Sequence, residues 1–212
     1  MKADPQHILL LGAGFSRNWG GWLAAEALEY LLAHHQIDKS IRDLLWTHRN
    51  SGFENALSEL QSKGRSDPRL EKMESALADM YSHMEDAFER IEFDVHSTMK
   101  ISYKEFLRKF DAIFSLNQDL LLERFYVSET VTGASVPSKY SITGLPGIQL
   151  IEGTENTFHG IGTFIPTGKP SQVEYGCQPY FKLHGSANWK TERGGQLLIL
   201  GGQKSSEISK VP

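Results

Sequence analysis

The first apolar run, Ile8 to Leu11, is continuous rather than alternating. That pattern predicts a central strand of a parallel sheet, covered on both faces. The run ends in Gly12-Ala-Gly14, and Trp22, Leu23, Ala27, Tyr30 and Leu31 then form a helical stripe. Asp38 to Trp46 and Phe53 to Leu60 repeat the helical signal, and Ser51-Gly-Phe-Glu54 has the form of a capping box before the second. Asp67-Pro68 places a capping residue before proline at the first helical position. Beyond it Leu70, Met73, Leu77, Met80, Met84, Phe88 and Ile91 recur every three or four residues, which predicts one long amphipathic helix. Its methionines read either as a core-facing stripe or as the lining of a cofactor or partner groove. Its acidic pair Glu85-Asp86 reads as part of a solvated face.

Tyr103 to Phe110 is helical again, and Ala112 to Leu116 is a second short apolar run that ends at Asn117-Gln-Asp119. A helical pattern, Leu120 to Tyr126, follows it. This alternation predicts an α/β fold. We expect a Rossmann-like parallel sheet with a large helical insertion, about residues 22–110, after the first strand, in a single domain over 1–212. Residues 128–172 are rich in Gly, Pro, Thr and Ser and read as loops with short irregular strands. Pro179 to Leu183 reads as a strand ending at His184-Gly-Ser186, and Leu197 to Leu200 as another ending at Gly201-Gly202. In a parallel sheet the four ends, at Gly12, Asn117, His184 and Gly201, would project at one edge, where open α/β sheets bind ligands.

Composition narrows the classes. The 212 residues are 40% hydrophobic and 23% charged, ordinary for a soluble protein. A net charge of −4 leaves no basic footprint, so nucleic acid is not an expected direct partner. No apolar run approaches a membrane span, and the N-terminal run is too short for a signal peptide, so a cytoplasmic location without membrane partners is expected. The single cysteine, Cys177, excludes an internal disulfide and a multi-cysteine zinc ribbon and reads as a small packed residue. His34, His35, His83, His96 and His159 lack H-E-x-x-H or carboxylate spacing, so no metal is expected.

Strand, glycine turn and helix together suit a phosphate, because glycines at 12 and 14 let an anion approach the backbone. The dinucleotide fingerprint G-x-G-x-x-G is incomplete, since its third glycine position is Arg17. Hydride transfer is therefore disfavoured. Arg17 reads either as a phosphate partner or as a solvated first-turn residue.

Gly12-Ala-Gly-Phe-Ser16, Asn117-Gln-Asp119 and Leu183-His-Gly-Ser186, in this order, resemble the sirtuin-like superfamily. The resemblance, covering roughly Ile8 to Gly202, points to the prokaryotic sirtuin-like domains of antiphage systems, whose members cleave NAD. Two motifs depart from the deacylating sirtuins. Arg17-Asn-Trp-Gly-Gly21 replaces their Pro-Asp-Phe-Arg segment, and Leu116 replaces the usual glutamine before Asn-x-Asp. With the four zinc-ribbon cysteines also missing, protein deacylation is disfavoured.

What the resemblance implies is NAD glycohydrolysis, with NAD as substrate and release of nicotinamide and ADP-ribose. Gly12, Ala13 and Gly14 would offer amides to the pyrophosphate, Ser16 a hydroxyl and Arg17 a charge. Asp119 would hold the nicotinamide carboxamide, and Gly185 and Ser186 would complete the cofactor pocket. Asn117 would orient water or a ribose hydroxyl, and His184 would accept a proton. Read without the resemblance, Asn117 closes a turn, Asp119 caps the next helix and His184 is a loop residue. Relatives continue past the fourth strand, so a closing strand is expected from a partner or not at all. The expected partners are NAD, a second copy of the chain, or a protein of the same defence system. The competing functional reading is a non-catalytic NAD or ADP-ribose sensor or assembly subunit.

Overall fold

The strands are β1 (Ile8–Leu11), β2 (Ala112–Ser115), β3 (Ile142–Gly144), β4 (Ile148–Leu150), β5 (Phe164–Pro166), β6 (Cys177–Lys182), β7 (Gly185–Lys190) and β8 (Gln196–Leu198). The helices are α1 (Ala13–Arg17), α2 (Ala24–Ala33), α3 (Lys39–Thr47), α4 (Phe53–Lys63), α5 (Pro68–Phe88) and α6 (Tyr103–Leu107). The computed structural model describes residues 7–64, 66–94, 102–127, 142–155, 157, 159–167, 173, 176–190 and 196–198. A wholly parallel sheet runs β1-β2-β6-β3, and a second sheet, of mixed direction, runs β4-β5-β7-β8. The fold is thus Rossmann-like α/β, with a helical insertion, α2 to α6, between its first two strands. No helix among the described residues is long and apolar enough to cross a membrane.

The insertion forms where its caps say it should. Asp38 accepts the Ser40 and Ile41 amides and starts α3, and Asp67 accepts the Arg69 amide ahead of Pro68. Leu70, Met73, Leu77, Met80, Met84 and Phe88 of α5 are all buried, against Leu31, Ile41, Leu45, Leu57 and Leu60 from α2 to α4 and against Leu11 and Ile113 of the sheet. The capping box predicted before α4 does not form. The N-cap is Gly52 at φ 91°, a backbone that suits glycine, and the Ser51 hydroxyl donates back to His48 O instead.

Four further expectations are corrected. β1 is not covered on both faces: Ile8 and Leu10 are 58% and 60% exposed. It is the edge strand, and the insertion packs only on the face carrying Leu9 and Leu11. Glu85 is fully buried, not solvated, because it lies four residues after Tyr81 and three before Phe88 on the packed side of α5. The strand at 197–200 is seen as β8, which pairs antiparallel with β7 and lies outside the parallel sheet. Residues 199–202, with their Gly201 strand end, fall outside the described residues. The fourth parallel strand is β3, from the stretch expected to be irregular. Pro179 is tolerated within the sheet because β6 changes partners there: 177–179 face β3 and 180–182 face β2.

Candidate functional site

The carboxyl ends of β1 and β2 are tied together by one amide. Asn117, buried just past β2, donates from Nδ2 to Gly12 O at 3.1 Å and to Ser16 Oγ at 2.9 Å. Its own N–H is fixed by Ser115 Oγ at 3.0 Å. Gly12 ends the strand, and its carbonyl also accepts the Phe15 amide at 2.8 Å, which starts α1. A Cβ at Gly12 or Gly14 would meet nothing within 4 Å, so both glycines border open space. Gly21 is required for a different reason: a Cβ there would come within 2.7 Å of Ser16 Cβ and 2.9 Å of the Ser16 carbonyl.

Next to this junction is a cavity of about 110 Å³. Ala13 contributes from the glycine turn, Trp22, Ala27, Phe53, Met80, Tyr81 and Met84 from the insertion, and Asn117, Gln118 and Asp119 from the end of β2. The methionine stripe faces the core, as one of its two readings has it, and Met80 and Met84 also wall this cavity. Trp22, whose ring centroid lies 4.9 Å from that of Tyr30 in a tilted pair, stands at the same wall.

The loop 117–119 rests on a buried polar floor. Lys182, the last residue of β6, donates to Asp119 O, to Glu123 Oε1 at 2.6 Å and to Ser186 Oγ at 2.8 Å. The Ala187 amide donates to Gln118 O at 2.9 Å. Glu85 accepts the Leu120 amide at 2.8 Å, and Tyr81 donates to Gln118 Oε1 at 3.2 Å. Burial pushes the Glu85 carboxyl up to about 8, although the Leu120 amide draws it back and Asp119 and Glu123 add to the rise. Burial also raises Glu123, against the pull of Lys182. Glu123 opens a π-helical turn, Glu123–Val127, after the short helical start at Leu121.

The residues expected at the site divide into four groups. Ala13, Asn117 and Asp119 border the cavity, with Gly12 and Gly14 beside it. Asp119 also caps the following helical turn, its Oδ1 accepting the Leu121 amide at 3.2 Å. Ser16 and Ser186 are buried and bonded inside the protein, Ser16 to Asn117 and Ser186 to Lys182. Arg17 is at the surface, paired with Glu26 at 2.8 Å. Leu183 and His184 form the turn from β6 into β7, Gly185 opens β7 at φ 72°, and neither His184 nor Gly185 lines the cavity. The Leu183 amide donates to Ser115 O, which holds that turn beside the end of β2.

Sequence reasoning missed Glu85, Glu123 and Lys182. One signal was present: Lys182 interrupts the apolar run Tyr180 to Leu183, and a lysine inside a strand that enters a core needs a buried counter-charge. Compared with protein-family models and with curated proteins, the chain matches none of them.

Proposed function

We propose that the chain binds NAD at the ends of β1 and β2 and cleaves its nicotinamide–ribose bond, in the antiphage setting of the domains it resembles. One observation supports this reading above the others. The cavity connects the glycine turn at Ala13 to Asn117 and Asp119, the two elements that the sequence motifs single out, under a roof supplied by the insertion. At about 110 Å³ it takes only a ring-sized part of a dinucleotide, small beside the roughly 300 Å³ and more of whole-ligand pockets. The pyrophosphate would then lie outside it, along the open backbone at Gly12 and Gly14.

In this reading both Nδ2 hydrogens of Asn117 hold the glycine turn, and Oδ1 is the atom that receives a ribose hydroxyl or the attacking water. Asp119 takes the carboxamide, and His184 acts as the base from the adjacent strand end. Chromatography of NAD incubated with the protein should show nicotinamide and ADP-ribose. His184→Ala should lower the rate by about 10²- to 10⁴-fold, the usual share of a general base, with an unchanged circular dichroism spectrum. Absence of nicotinamide at high protein concentration, together with absence of calorimetric binding, would refute the proposal.

A second reading has its own support. His184 does not line the cavity, and the Asn117 amide donors are occupied by Gly12 and Ser16, which suits a pocket that binds NAD or ADP-ribose without turnover. Calorimetric binding of NAD without nicotinamide release selects it.

A further inference from the structure

A second set of converging groups lies away from the glycine turn, where the loop between β4 and β5 meets the C-terminal end of α5. His159 stands in the left-handed backbone region at φ 57°. Its Nδ1 lies 3.4 Å from Asp86 Oδ1 and 3.3 Å from Glu89 Oε1, while Nε2 lies 3.0 Å from Ser82 Oγ. Ser82, Asp86 and Glu89 are spaced by four and three residues, so they share one face of α5. The ligand atoms of Asp86, Glu89 and His159 all fall within 4.8 Å of one another, and no other such trio occurs among the described residues.

Two carboxylate oxygens and a ring nitrogen converging this closely favour a positive charge among them. A proton on Nδ1 is one solution, and a metal ion is the other. The distances suit the ion. Donor atoms about 2.1 Å from one tetrahedral centre lie roughly 3.4 Å apart, which is the separation of the imidazole from each carboxylate. Two carboxylates balance a divalent charge, and one imidazole favours a transition metal over Mg²⁺ or Ca²⁺. The Ser82 hydroxyl beside Nε2 is the outer partner that fixes a ligating ring. Asp86 and Glu89 are about half exposed, so an ion held by the three protein groups would have an open side for water or a ligand, and His159 also borders a separate cavity of about 360 Å³. Arg124 flanks the trio, donating to His159 O at 3.1 Å and lying 3.5 Å from Glu89 Oε1, but its guanidinium is shared with the buried Glu85, 3.7 Å away.

We propose that Asp86, Glu89 and His159 bind one divalent transition-metal ion of the Zn²⁺ or Mn²⁺ class, at a site separate from the glycine turn. The spacing of these residues hid it, because His159 comes from 70 residues beyond Glu89 in the chain. The site is independent of the NAD reading, and its test needs no turnover. Full-length protein stripped with a chelator is titrated with Zn²⁺ and with Mn²⁺ by calorimetry. The expected result is one ion per chain, absent in Asp86→Asn and in His159→Gln, and weakened about 10-fold in Ser82→Ala. His34→Gln, which alters the separate pair with Asp79, should bind as the parent does. Glu89→Gln, at a more exposed position, replaces His159→Gln if that variant fails to fold. Failure of both ions to bind saturably, leaving a proton as the only occupant, overturns the proposal. Binding that survives unchanged in Asp86→Asn and His159→Gln overturns it equally.

Discussion

Two regions stacked on the same sheet are held by opposite means. In the insertion, α5 presents Leu70, Met73, Leu77, Met80, Met84 and Phe88 to a core of other apolar side chains. One layer away, at the strand ends, the buried side chains include Asn117, Glu123, Lys182 and Ser186, with Glu85 reaching to them from α5. The first region gains its stability from area removed from water, and it tolerates exchange of one apolar shape for another. The second holds charges out of water, so each member depends on its partner being present. A layer of this kind fixes the loop 117–119 in one place. The apolar region supplies stability, and the polar region supplies position.

The largest break should come from separating the buried pair. Lys182→Met leaves the Glu123 carboxyl without its cation and Asp119 O without its donor, and should cost about 3–5 kcal/mol of unfolding free energy. Replacing both partners, Lys182→Met with Glu123→Leu, should recover most of that stability. Denaturant melts of the three proteins give the comparison. If the double variant is as unstable as the single one, the pair is not the coupled unit described.

The insertion should respond in the ordinary way of a core. Leu77→Ala should cost about 3 kcal/mol, the mid-range for a buried leucine, with no dependence on pH. A loss well below 1 kcal/mol would mean that α5 is not packed as its burial indicates.

This contrast also explains what could be read from the chain in advance. Apolar packing repeats with the helix, so α5, its Asp67-Pro68 start and the strand–helix alternation were legible from spacing alone. The strand ends Gly12 and Asn117 were legible as a pair because turn chemistry is local. Glu85 was misread because a carboxylate next to Asp86 looks solvated unless the phase of the helix is followed through Tyr81 and Phe88. β7 was invisible: Gly185 to Lys190 holds Asn188 and Ser186 in its interior, both buried and bonded across space to Gly162 O and Lys182. Such residues are inside for reasons that only tertiary partners supply. The His159 cluster was hidden for the same reason.

A further effect separates the two regions by pH. The Glu85 carboxyl is raised to about 8 in the folded chain from an ordinary value of 4.5. Between those values the folded chain keeps a proton that the unfolded chain has released. Stability should therefore fall as pH rises from about 5 to 8, by at most about 1.4 kcal/mol per unit from this group, and level off above. Glu123, also raised, acts in the same direction. Glu85→Gln should flatten the slope, because an amide can still accept the Leu120 N–H and has no proton to lose. An unchanged slope in thermal melts of Glu85→Gln would assign the pH dependence elsewhere.

The smallest expected effect tests the seam itself. Tyr81 belongs to α5, yet its hydroxyl donates to Gln118 Oε1 in the strand-end loop, and both residues wall the cavity. Tyr81→Phe keeps the buried ring and removes only this bond, so it should cost about 1 kcal/mol, the usual net worth of a neutral hydrogen bond. Gln118→Ala should cost a similar amount, since it leaves the phenol unpartnered. The informative quantity is the coupling: if the bond ties the two layers, the double variant should lose less than the two single losses added together. Strict additivity would mean that the apolar layer and the polar layer are stable side by side and that the loop's position is set by Lys182, Glu85, the Ala187 amide and the end of β2.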